Sequence, residues 1–249
     1  CMATTQHEHR FYRHSLQVAG LVDFQVVVKE TDLHIHALRD LAGIARETVI
    51  EIRGYLESYI LQHPQFAETL IPWHLSGPAP SIIRDMARAG AFAGVGPMAA
   101  VAGAIAAHVG KDLLVHSTEV IVENGGDVFM ATARPITMGI YAGRSPLSLR
   151  LGLKIGGQNE PVSVCTSSGT VGHSLSTGRA DAVCIVSKDC ALADAAATAT
   201  GNRVRDANDI QKAIEYSQTV SGVEGLVVII GDQMGVWGDV ELVPLERNL

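Results

Sequence analysis

Aromatic side chains are scarce, at 5% of the 249 residues. A β-sandwich core filled by rings is therefore disfavoured. The apolar 47% leans on Ala, Val, Ile and Leu, which suits helices lying close on a sheet. No block of basic residues occurs, and the formal charge is −7. Nucleic acid and anionic membrane surfaces are thus not expected as general partners. The four cysteines, Cys1, Cys165, Cys184 and Cys190, include no C-x-x-C pair. Their spacing suggests neither a zinc site nor a disulfide framework, and a reducing, cytoplasmic setting is the default. No signal segment is visible; Met2 reads as the natural start and Cys1 as an added residue. No repeat of solenoid length and no low-complexity linker breaks the chain, so residues 1–249 read as one large domain or two small intertwined lobes.

Long apolar runs are also rare. The least polar, residues 91–109, is long enough to raise the question of a membrane span. It is mostly Ala and Gly, however, and Gly96-Pro97 would break a helix near its start. We expect a buried helix from Pro97 to Val109, no membrane, and a homodimer contact as one way of burying it.

Hydrophobic spacing organises the rest. Residues 21–31 read as a strand continued by 32–37. Leu41, Ala45, Val49, Ile52, Leu56 and Tyr59 recur at helical intervals, giving a helix over 37–62. A loop over 73–80 precedes a short helix over 81–88. Strands are expected at 119–123 and 128–131, joined by Asn124-Gly125-Gly126-Asp127, a strong hairpin signal. Further strands are expected at 137–142, 149–155, 162–165 and 182–187. An Ala-rich helix follows over 191–200, then a helix capped by Asp206, then strands at 225–230 and 236–243. This order is α+β, with mixed or antiparallel sheets and packed helices, not an alternating parallel sheet.

The stretch that carries most chemistry is Cys165-Thr166-Ser167-Ser168-Gly169-Thr-Val-Gly-His173-Ser-Leu-Ser-Thr-Gly178. It is rich in hydroxyls and glycine, yet lies between two apolar runs. Glycines permit close backbone approach, and free N–H and hydroxyl groups suit an anion such as a phosphate. His173 is the group in it that titrates near neutral pH. The alternative is a tight polar turn. Cys165 with His173 offers a further reading as a thiol nucleophile and its base. Asp194 and Thr198, four apart, share one helix face. Asp194 also reads as a carboxylate in the first turn of its own helix. Two His-x-His pairs, His7/His9 and His34/His36, stand outside these stretches; His7-Glu8-His9 offers metal-ligand types.

Glu123-Asn-Gly-Gly-Asp127, Cys165-Thr-Ser-Ser-Gly169 with His173, and Ala193-Asp194-Ala-Ala-Ala-Thr198, in that order, resemble the ApbE superfamily of FAD:protein FMN transferases. The resemblance is closest to a smaller, functionally uncharacterised ApbE-related family, with Gly96 to Ile105 and Cys165 to Ser174 nearly verbatim. It covers most of the chain from about residue 80; the part before matches in outline. It implies an ApbE-like fold, FAD (or FMN) and Mg2+ as cofactors, and a flavin nucleotide and an acceptor protein as partners. Asn124, Gly125, Gly126 and Asp127, with Thr166, Ser167, Ser168 and Gly169, would line the flavin site. Asp194 and Thr198 would bind the metal, with a backbone carbonyl from 103–106. His173 would be the general base. Three departures stand out. Ala107 replaces the family's lysine, the segment from His173 to Gly178 is short and lacks Asp-Pro, and Ser168-Gly169 is followed by Thr170-Val171. Two functions follow: metal-dependent FMN transfer or FAD pyrophosphate hydrolysis, or a non-catalytic flavin- or nucleotide-binding protein.

Overall fold

The structure is a computed structural model, described for residue 18 and residues 20–157, 160–170 and 178–245. Two strands, β1 (Val22–Val28) and β2 (Thr31–Ala37), open it as an antiparallel hairpin. The single strand expected over 21–31 is cut short because Lys29 turns to positive φ. Helix α1 (Ala42–Gln62) starts five residues later than its spacing suggested, since Ala37 pairs with Val22 and Val120 in the sheet. After the single turn α2 (Gln65–Glu68), α3 (Ser81–Ala93) runs five residues past the expected end and stops at Gly94, in left-handed backbone. Pro97–Ala100 forms a 3-10 turn that leads into α4 (Val101–Leu113).

The middle of the chain is strand-rich: β3 (Val120–Asn124), β4 (Asp127–Ala131), β5 (Pro135–Gly139), β6 (Leu151–Gly156), β7 (Val162–Ser167) and β8 (Ala182–Ser187). Helix α5 (Cys190–Gly201) follows, then a 3-10 turn (Ala207–Asp209) with a capping box from Asp206, and α6 (Ile210–Thr219). The chain closes with β9 (Val223–Ile230), β10 (Gln233–Gly238) and β11 (Glu241–Pro244). One strand was expected over 236–243. Gly238, at φ +86°, instead passes the chain from one sheet to another, where a Cβ would lie 2.2 Å from the Glu224 carbonyl.

Eight strands form one antiparallel sheet in the order β1-β2-β3-β4-β7-β8-β9-β10, and three form another, β11-β6-β5. The period-2 alternation of strands sorts two cores onto the two faces of the large sheet. On one face Val122, Phe129, Cys165, Ile185 and Val228 meet the helices. On the other Ile121, Met130, Val164, Cys184 and Val227 meet the small sheet. Helix α4 lies on β3 and β4, and α5 on β7 and β8. Gly110 lets α4 settle there, since a Cβ would stand 2.1 Å from the Phe129 ring.

Among the described residues no single helix is long and apolar enough to cross a membrane. Helix α3 and the helical stretch Pro97–Leu113 reach that length only together, bent by 105°. The apolar residues of α4, including Ala104, Ile105 and Val109, are buried within this chain. A dimer contact is therefore not needed to explain its composition.

Candidate functional site

The sequence dictates a tight crossing of α4 over α5. A Cβ at Gly103 would lie 2.3 Å from the Cys190 carbonyl oxygen and 2.8 Å from the Asp194 Cβ. The crossing delivers the Asp194 carboxylate to the first turn of α4. There the Gly103 N–H donates to Asp194 Oδ2 at 2.9 Å, and the Ala102 N–H is also turned to the carboxylate. Helix α4 has no side-chain cap of its own, so these N–H groups find their acceptor on another helix. The first-turn reading of Asp194 is thus corrected. The cap of α5 is Asp189, whose Oδ1 accepts from the Leu192 N–H at 3.2 Å, while Asp194 serves α4. The backbone group that meets Asp194 is the N–H of Gly103.

The β3–β4 hairpin brings a second carboxylate. Asn124 pairs with Asp127 across Gly125 and Gly126, at φ +65° and +109°, the sense of a type I′ turn. Both flanking side chains fall on the helix face. Asn124 Nδ2 donates to the Ala102 carbonyl at 3.1 Å, one residue from the group that Asp194 binds. Asp127 is buried, and its Oδ1 accepts from the Thr166 N–H at 3.3 Å. Burial holds the Asp127 carboxyl well above the usual carboxylate range, with the nearby Cys190 adding to it. Burial does the same to Asp194, and the charge of Asp127 adds to that shift. A charged carboxylate nearby disfavours the ionisation of another in a poorly solvated place.

The expected flavin-lining residues divide. The hairpin turn and the end of β7 border each other, joined by the Asp127–Thr166 bond. Ser167 points to the helix face, and its buried Oγ has no hydrogen-bond partner among the described residues. Thr166 points the other way, because side chains alternate along β7. Its hydroxyl donates to Cys184 Sγ at 3.4 Å in the opposite core, and only its backbone reaches Asp127. Ser168 Oγ accepts from the Thr170 N–H at 3.1 Å, folding the chain back on itself. Gly169 donates its N–H to the Ala180 carbonyl at 2.9 Å, and a Cβ there would lie 2.1 Å from the Gly178 carbonyl oxygen. Thr198 follows Asp194 by one helical turn. Both are half-buried, and Ala195, Ala196 and Ala197 between them are buried.

His173 lies outside the described residues, as does the first His-x-His pair. Cys165 is not a poised nucleophile. It is buried, its thiol is pushed up by burial, and its Sγ sits 3.6 Å from Cys190 Sγ and 3.4 Å from the Cys190 carbonyl oxygen. Sequence reasoning missed Cys190 and Gly103 as neighbours of Asp127 and Asp194. The small residues of α4 and the Ala-rich face of α5 were the available signal, since only such faces let two helices cross this closely.

An antiparallel sheet covered by helices on one face and by a three-stranded sheet on the other is the architecture of an ApbE-like α+β protein. Its fold is similar to the flavin transferase ApbE from Vibrio cholerae, with a TM-score of 0.59 at 9% identity over 88% of this chain and 96% of that one. It is also similar to the apo flavinyl transferase ApbE of Pseudomonas stutzeri, with a TM-score of 0.58 at 13% identity over 88% and 94%. The chain belongs to the family described as AbpE bacteria, whose model matches residues 13–235. Relatives include a UPF0280 protein of Methanococcus aeolicus, 37% identical over 88% of this chain and 91% of the relative. Another is UPF0280 protein MJ1526 of Methanocaldococcus jannaschii, 39% identical over 90% and 94%.

Proposed function

We propose that this protein binds a flavin dinucleotide together with a divalent cation on the helix side of the large sheet, and cleaves the nucleotide's pyrophosphate. The observation that carries the reading is the gathering of Asp194 and Asn124 on the first turn of α4, through Gly103 and Ala102, with Asp127 across the same hairpin turn and its charge adding to the raised pKa of Asp194. A cation relieves that conflict. The donor set fits Mg2+: carboxylates, the Thr198 hydroxyl and the Ser167 hydroxyl, which has no hydrogen-bond partner among the described residues, are hard oxygen ligands. Asp194 and Thr198 would hold the ion, which would supply charge neutralisation at the phosphates. Asn124 fixes the hairpin turn against α4. Glycines at 125 and 126 leave backbone open to the nucleotide. His173 takes the proton from the attacking hydroxyl as that oxygen bonds to the FMN phosphorus and AMP leaves. The hydroxyl belongs to an acceptor protein or to water. General base catalysis of this kind contributes roughly 10²–10⁴-fold.

A second reading is a flavin-binding protein without turnover. It is favoured by Ala107, buried where the resemblance expects a lysine. Purified protein mixed with FAD and magnesium, followed for FMN and AMP, separates the two. We expect release of both, abolished in His173→Ala with flavin binding kept. Binding without release would leave the second reading, and no flavin binding with magnesium present would sink both.

A further inference from the structure

A second polar cluster lies on the opposite face of the large sheet, at its β1 edge. Register places it. Asp23 of β1 pairs with His36 of β2, and His34 follows two residues away, so all three side chains fall on one face. Leu33, Ile35 and Ala37 fill the helix-side core, which commits His34 and His36 to the other side. The ligand atoms of Asp23, His34 and His36 all lie within 4.8 Å of one another. His34 Nε2 is 2.8 Å from Asp23 Oδ1, yet the two are not aligned as a hydrogen bond. His36 is 4% exposed, and its buried Nε2 has no hydrogen-bond partner among the described residues. Glu123, a buried carboxyl side chain, stands directly across from His34 in β3 on the same face. Asp23 is exposed, so the cluster grades from solvent inward and has a way in.

We infer that Asp23, His34 and His36 bind a divalent transition-metal ion of the zinc class. Two imidazoles and a carboxylate are a zinc-type donor set, and imidazole excludes magnesium or calcium as the natural occupant. Bonds of about 2.0–2.1 Å at tetrahedral angles set the ligand atoms roughly 3.3 Å apart, so small side-chain rotations close the site. The ion would tie the edge strand β1 to β2.

The test is zinc chloride titrated calorimetrically into chelator-stripped protein, with cobalt(II) as a spectroscopic stand-in. The expected result is one zinc per chain and visible ligand-field bands with cobalt. Asp23→Asn and His36→Gln should each weaken zinc binding by more than the roughly 10–100-fold typical of losing an outer-shell partner. Asp23 is exposed, so its variant tests the site even if His36→Gln folds poorly. A double variant, His7→Ala with His9→Ala, should bind zinc as the parent does. The inference is overturned by absence of binding, by unchanged affinity in Asp23→Asn, or by loss of binding in the His7/His9 variant.

Discussion

The two faces of the eight-stranded sheet carry polar clusters of opposite character. On the helix face, Asp127 and Asp194 sit among Gly103, Cys165 and Cys190, with oxygen donors and main-chain N–H groups around them. On the other, Asp23, His34 and His36 combine one carboxylate with two imidazoles near an open sheet edge. The first is assembled from four elements distant in sequence: β4, β7, α4 and α5. The second comes from one hairpin. A cluster built by tertiary packing depends on helix placement, whereas a cluster built by register depends on strand pairing alone. The difference also fixes chemistry. Crowded carboxylates call for a hard cation or for protons, and converging imidazoles call for a transition metal.

The sharpest way to break this contrast is Asp194→Ala. It removes the carboxylate that serves both the proposed cation and the first turn of α4. Calorimetry with FAD present should show magnesium binding abolished, while zinc binding at the β1–β2 hairpin is unchanged. Equal magnesium binding by the variant and the parent would leave Asp194 with the capping role only. Asp194→Asn is the informative companion, because an amide oxygen can still accept from the Gly103 N–H. It should recover stability and not the cation.

Next in size is Gly103→Ala. The new methyl group would stand 2.3 Å from the Cys190 carbonyl oxygen, a backbone atom that cannot swing away. Overpacking of this kind costs about 1–3 kcal/mol. Chemical denaturation should show that loss, and the flavin site should weaken with it because α4 and α5 must separate. A variant as stable as the parent would mean that the helices are free to shift, against the close crossing described above.

The parts legible in the sequence were those with local causes. The Asn124–Asp127 hairpin, the Ala-rich helix α5 and the capping role of Asp206 follow from turn chemistry, composition and cap preference, and the structure has all three. Asp194 was singled out by its motif. Its partner was not, because nothing local says that Gly103, 91 residues earlier, will meet it. The final strand was misread for a related reason. Residues 236–243 were read as one strand across Gly238-Asp239, where the crossing of Gly238 against Glu224 divides them between two sheets. Parity was not legible in the polar run Thr166–Gly169, expected to line the flavin site: alternation sends the Thr166 and Ser167 side chains to opposite faces. Asp23 carried no signal at all until register set it beside His36.

A pH experiment separates the clusters by sign. Asp127 and Asp194 have folded-state pKa values raised by burial. Their contribution to stability is complete below the ordinary carboxylate range and is lost as pH rises through the raised values. Cation-free protein should therefore lose melting temperature across that interval, and Asp127→Asn should flatten the slope. His36 behaves in the other direction. Burial lowers its pKa, so the stability it contributes is present above the ordinary histidine range and lost as pH falls through the lowered value. A melting profile that Asp127→Asn leaves unchanged on the acidic side would remove the carboxylate pair as its cause.

The smallest expected effect is at Asp189, and it tests how the helix-face cluster is held rather than what it binds. Asp189 caps α5 through the Leu192 N–H and also meets the exposed Arg88 at 3.0 Å. Losing an N-cap typically costs about 1 kcal/mol. An exposed ion pair contributes roughly 0.2–1 kcal/mol. Asp189→Asn should keep the cap and lose only the ion pair, so its stability should fall between that of the parent and that of Asp189→Ala. The cap sits one residue before Cys190 and five before Asp194, on the helix that carries half of the helix-face cluster. Hydrogen exchange should therefore quicken at Leu192 and Ala193 in Asp189→Ala, with a modest weakening of flavin-dependent magnesium binding. The β1–β2 hairpin is separated by β3 and β4 from the strands on which α5 packs, and its zinc affinity should stay where it was. If zinc affinity drops along with the helix cap, the two clusters are coupled through the sheet, and the separation of its faces into independent sites fails.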